Sequence, residues 1–214
     1  MAAALRHRLA VRVGAFAAAA LLAAASHAYV VTITAGTRSV YLQVGTGTMT
    51  GGNFSSGGVP GNNATVNSVS VTVPAGSIGS GTQAMTTNSA VSNSPYDGFA
   101  FCPVTTPATN VYVGGFYRTP GAAANATLTV ISPASLVSGA DAIPFSAISW
   151  VSGGNGDATP TIPSGTFAGG TTQTLLSVTR NTWFESCLQF NYANSAVFPA
   201  GTYTNRVTYT LTVP

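Results

Sequence analysis

The chain has 214 residues, a formal net charge of +3 and only 5 % charged residues, against about 25 % in an ordinary soluble domain. Both histidines and three of the arginines fall within the first 28 positions; beyond them Arg38, Arg118, Arg180 and Arg206 balance Asp97, Asp141, Asp157 and Glu185, and there is no lysine. This excludes the basic surface that nucleic-acid binding needs, and every catalytic scheme that depends on His or Lys.

Arg6, Arg8 and Arg12 precede an apolar run from Val13 to Ala25, and Ser26-His27-Ala28 is a small-x-small cleavage site. The three parts predict a secretory signal peptide over residues 1–28. The competing reading is a membrane anchor, for which the run falls short of the roughly 20 residues a span requires. Export carries the chain through a periplasm to the cell surface or the medium. It leaves 186 residues, 29–214, with no transmembrane segment expected.

Past residue 28 the sequence has no helical periodicity. Short alternating runs are separated by Gly, Pro, Asn and Ser. Val31-Ile33 and Val40-Leu42-Val44 predict two early strands, followed by a Gly-rich loop over 45–61. Val69-Val71-Val73 alternates up to Pro74, and 75–95 is a Ser/Thr/Gly-rich excursion and a weak candidate boundary. Strands are then expected at 98–102, 110–118, 126–132, 143–151, 172–178 and 183–192, with an exposed loop over 152–170, and a last strand follows Gly201. The expected fold is all-β: one immunoglobulin-like sandwich over 29–214, about ten antiparallel strands with long Gly/Ser/Thr-rich loops, and Trp150, Trp183 and Phe190 in its core.

Cys102 and Cys187 are the only cysteines. An even count in an exported chain predicts a disulfide between them; two buried free thiols are the alternative. Among the carboxylates, Asp97 and Asp157 sit in turn sequences, where Asp bonds its local backbone. Glu185 is expected to pair with Arg180 at the surface. A two-carboxylate glycosidase is the one enzyme reading left by this inventory, and the turn roles outweigh it, so no enzyme, cofactor or metal is expected. Tyr41, Tyr96, Tyr112, Tyr117 and Tyr192 are aromatic candidates for stacking on a glycan, although strand aromatics ordinarily pack in cores.

In GTYTNRVTYTLTVP, residues 201–214, Tyr203, Val207, Tyr209, Leu211 and Val213 alternate with Thr204, Arg206, Thr208, Thr210 and Thr212. A Gly fourteen residues from the end followed by an alternating strand resembles the C-terminal strand of chaperone–usher pilins and spore-coat-U-like secreted proteins. Val213 stands where that family usually has an aromatic. Tyr29, Val31, Ile33 and Ala35 alternate beside Gly36, as in the pilin N-terminal extension. The resemblance implies assembly strands at both ends, a neighbouring copy or other surface protein as partner, and a periplasmic chaperone. The expected function is a secreted structural subunit of a surface fibre or layer. The alternative is an adhesin that recognises glycan or a host surface through Tyr96 and the Gly-rich loops.

Overall fold

The computed structural model describes residues 30–214; the signal-peptide reading and Tyr29 lie outside it. Its strands are β1 (Val30–Thr32), β2 (Ser39–Val44), β3 (Met49–Thr50), β4 (Val59–Pro60), β5 (Val69–Ser70), β6 (Gln83–Ala84), β7 (Thr86–Thr87) and β8 (Asn110–Arg118). They continue as β9 (Ala126–Ile131), β10 (Ser135–Ser138), β11 (Asp141–Pro144), β12 (Ile148–Gly153), β13 (Gly165–Thr166), β14 (Thr172–Val178), β15 (Thr182–Tyr192) and β16 (Thr208–Thr212). Three single turns of 3-10 helix are the only helical elements described.

The fold is all-β and sandwich-like. A seven-stranded antiparallel sheet runs β13-β12-β15-β8-β2 and adds β1 and β6 on β15. The pairings overlap along β15: β8 and β1 both face Thr182–Phe184, and β12 and β6 both face Asn191 and Tyr192. So β1 and β12 share one edge of β15, and β8 and β6 share the other. A three-stranded sheet, β14-β9-β16, forms the second layer.

The sandwich core fills the space between these sheets. Val111, Val113 and Tyr117 come from β8, and Phe184, Leu188 and Phe190 from β15. Leu128 and Val130 of β9 meet them from the small sheet, with Tyr209 and Leu211 of β16 at its border. Alternate residues of each strand supply this core, as the two-residue period of a strand requires. Both faces of β8 and β15 are nevertheless buried, which explains why NVYVGGFYR and TWFESCLQFNY are apolar almost throughout.

Several expectations need correction. GFAFC is not a strand: it makes one isolated bridge, Asn93 with Ala100, and Phe101 and Cys102 are held as a buried irregular segment. The run at 143–151 is two strands split by a 3-10 turn at Phe145–Ala147; Ile143 belongs to the β10–β11 hairpin. The 45–61 loop contains the β3–β4 pair. The 152–170 loop is not wholly exposed, because Ile162 is fully buried and Phe167 stacks on Phe190 at 6.0 Å. Trp150 fixes this loop by donating its indole N–H to Pro163 O at 2.8 Å. Ile162→Val should lower the unfolding free energy by about 1 kcal/mol, the usual effect of losing one buried methyl, read from a urea midpoint.

Candidate functional site

The outer face of the large sheet carries an aromatic and polar cluster under two loops. Phe184, Leu188 and Phe190 of β15 point inward, so Trp183, Glu185 and Cys187 point outward. The 45–61 loop lays Phe54 on Phe116 and Trp183, with ring centres 4.7 and 5.2 Å apart. The 91–103 segment is stapled to the same face by the Cys102–Cys187 disulfide, whose Cα atoms are 5.6 Å apart.

Glu185 is the polar centre of this face. Its carboxylate is buried, and Oε2 accepts three hydrogen bonds: from Ser94 Oγ at 2.8 Å, Tyr112 Oη at 2.7 Å and Trp183 Nε1 at 3.1 Å. Burial raises the Glu185 pKa from its ordinary range, and the three donors oppose the rise. Burial also holds the Tyr112 phenol well above its ordinary value, with the neighbouring carboxylate adding to the effect. The expected surface pair with Arg180 does not form. Arg180 donates to Gly121 O at 2.8 Å, while Glu185 lies mid-strand beneath the 91–103 loop.

The Gly-Gly step in β8 makes room for this centre. Gly114 sits opposite Glu185 in the ladder, and a Cβ there would lie 2.3 Å from Tyr112 Oη. The Tyr112 ring therefore crosses the bare Gly114 to reach the carboxylate. Gly114→Ala should cost about 2 kcal/mol through overpacking, measured as a fall in the denaturant midpoint.

Ser94 passes the anchor to the loop. Its Oγ accepts the Tyr96 N–H at 3.1 Å, and its backbone bonds Gly98 and Phe99. The Tyr96 ring then packs on Trp183 at 5.6 Å. Phe54, Tyr96 and Phe116 floor an open cleft of about 670 Å³ between the 32–34 segment and the 57–60 segment, with Arg118 on its wall. Of the candidate tyrosines, Tyr96 reaches this cleft; Tyr112 and Tyr117 are buried inside the fold.

The remaining carboxylates behave as turn residues. Asp97 Oδ1 accepts the Phe99 N–H at 2.9 Å, and Asp157 Oδ1 accepts the Thr159 N–H at 3.1 Å. Asp141 opens β11, paired with Ser138. Among the described residues no group of three His, Cys, Asp or Glu side chains could hold a metal ion, and no helix is long and apolar enough to cross a membrane.

Of the strands expected to assemble, β1 lies against this same outer face and β16 at an edge of the small sheet. β1 pairs with β15 of its own chain, Val31 packs on the outer aromatic cluster and Ile33 is buried. β16 pairs with β9 from Thr208–Ile131 to Thr212–Thr127, and β9 is the only strand bonded to it among the described residues. Its Tyr209 and Leu211, with Val207 and Val213, are half-buried against the core, while Thr208, Thr210 and Thr212 are exposed. Tyr203 donates to Pro199 O at 2.8 Å. Gly201 is at a close approach, since a Cβ would lie 2.5 Å from Ser138 Oγ. The strand is thus shorter than the alternation from 203 onward suggests, because Thr204 bridges Val137 in the β10–β11 hairpin instead. β2 is likewise bonded on one side, by β8, and it approaches β16 across the sandwich.

These features define an all-β, disulfide-linked sandwich with a loop-covered outer face and two singly paired edge strands on one flank. Comparison with family models, curated proteins and solved structures returned no match.

Proposed function

We propose that this protein is an exported structural subunit that assembles into a surface fibre or layer, with the free edge of β16 as its joining strand. The observation that carries the reading is the state of that edge. β16 is a regular strand with one bonded side, an apolar row on its core face and an uncharged threonine row on its solvent face. Sheet edges of soluble proteins are commonly blunted by lysine, proline or a bulge within the strand, and β16 has none of these between Thr208 and Thr212. An added strand from another copy would bond its backbone. The cancelling charges beyond residue 28 favour such self-association.

The test is electron microscopy and light scattering of the exported chain beside the variant T208K/T210K/T212K. All three positions are exposed, so the melting temperature should move by no more than a few degrees. Wild type should form filaments or sheets, and the variant should need at least tenfold more protein to assemble. A wild-type product that stays monomeric at all concentrations, or a variant that assembles equally well, contradicts the reading.

A further inference from the structure

We infer that the outer-face cleft is a binding site for an acidic saccharide, a uronic-acid-type residue whose ring lies on Phe54 and Tyr96 and whose carboxylate meets Arg118. The inference is independent of assembly through β16.

Arg118 is one of four cations beyond residue 28, and it stands in the wall of an aromatic cleft. Its guanidinium lies over the Phe116 ring at 6.0 Å and its Nε–H donates to Ser39 Oγ at 3.3 Å. Among the described residues it has no carboxylate partner. The cleft's own charge is therefore a lone positive one. The Nη groups are the part of the fork suited to a planar carboxylate, which Arg binds through paired hydrogen bonds.

The rest of the lining suits a sugar better than an aliphatic acid. Phe54 and Tyr96 are half-buried, so part of each ring is open to the cleft. Aromatic faces carry negative charge density and receive the slightly positive C–H face of a pyranose. Thr32, Thr34 and Ser55 are exposed along the walls and supply hydroxyl donors and acceptors for ring hydroxyls. The site is also held in place beforehand. Tyr96 is fixed through Ser94 to Glu185, and Phe54 packs at a tilt on Trp183, so binding need not order the floor.

The test is isothermal titration of the full exported chain with tri-galacturonate and with neutral tri-galactose. The acidic trimer should bind at least tenfold tighter than the neutral one, and the preference should weaken as salt rises. Arg118→Gln should remove the preference. Val59→Trp, at a position 64 % exposed on the rim, should block both ligands while leaving the melting temperature unchanged, so loss of binding there is not loss of fold. Equal affinity for the two trimers, binding that survives Val59→Trp, or no heat from either trimer at millimolar concentration overturns the inference.

Discussion

Removing the disulfide with Cys102→Ala and Cys187→Ala together is expected to lower the unfolding free energy by about 4 to 5 kcal/mol. The two residues are 85 apart in sequence, so the crosslink closes a loop that takes in most of the strands from β8 to β15. A loop of that length loses much entropy when the unfolded chain is tied, and the loss rises only slowly with further length. The native side adds to it. Both sulfurs are buried in a small cluster with Phe101 and Tyr112, and the 91–103 segment has few ladder bonds of its own. Without the staple that segment still has the Ser94–Glu185 bond, the Asn155 Nδ2 bond to Ala100 O, the packing of Tyr96 on Trp183 and several backbone bonds, but no covalent tie to β15. Guanidinium unfolding of the oxidised wild type and the double variant measures the difference. A change below about 1 kcal/mol would mean that the segment holds itself.

The second large effect is at Glu185. Glu185→Ala should cost roughly 3 kcal/mol or more, because Ser94, Tyr112 and Trp183 would lose a common acceptor in a site away from water. Glu185→Gln should cost less, since a Gln side-chain oxygen still accepts from two of the three donors and carries no buried charge. The pH dependence separates the two roles. The folded-state pKa of Glu185 is raised, chiefly by desolvation. The folded state therefore binds the proton more tightly than the unfolded chain does. The stability linked to this group is fully present below the ordinary glutamate range and is lost as pH rises through the folded value. Since Oε2 already receives three donors, the added proton belongs on Oε1. Wild type should lose stability relative to Glu185→Gln as pH rises above the ordinary glutamate range, with the curves closest at the acid end. A gap that widens toward low pH would contradict this account of the site.

Much of the fold was legible from two-residue periodicity. β8 and β14 run over the residues that the alternation marks, and β15 begins one residue earlier than expected. Their patterns are strong because the strands are long and their inward residues all meet one core. Short pieces were harder. The β10–β11 hairpin turns at Gly139-Ala140, between paired Ser138 and Asp141, yet its second strand runs straight on into Phe145, and only Ser146 is polar before Ile148. Sequence alone makes one strand of 143–151, whereas packing of Ile143 and Phe145 demands a corner. Likewise Phe101 and Cys102 look like strand residues because they are apolar, but their burial comes from a crosslink and a covering loop.

The candidate site was less legible still. Trp183 stood out as a core aromatic, yet it belongs to the outer face rather than the space between the sheets. Glu185 reads as a surface residue because Arg180 is its nearest charged neighbour in sequence. Its true partners Ser94 and Tyr112 are 91 and 73 positions away, and only the fold brings them to one oxygen. One signal was available: two adjacent glycines in an otherwise buried strand, with a tyrosine two residues before the first. Phe54 and Arg118 carried no such mark. Their meaning comes from the cleft that the 45–61 loop makes with β2 and β8.

Assembly through the β16 edge is tested most directly by hydrogen exchange in residues 207–213 as protein concentration rises. In the single chain β16 is bonded on one side among the described residues, so part of its amides should exchange early. The account predicts that these amides become protected in step with assembly, while β14, the opposite edge of the same sheet, keeps its exchange rates. Exchange in 207–213 that does not change as assemblies form, or protection that appears only at other edges, would contradict it.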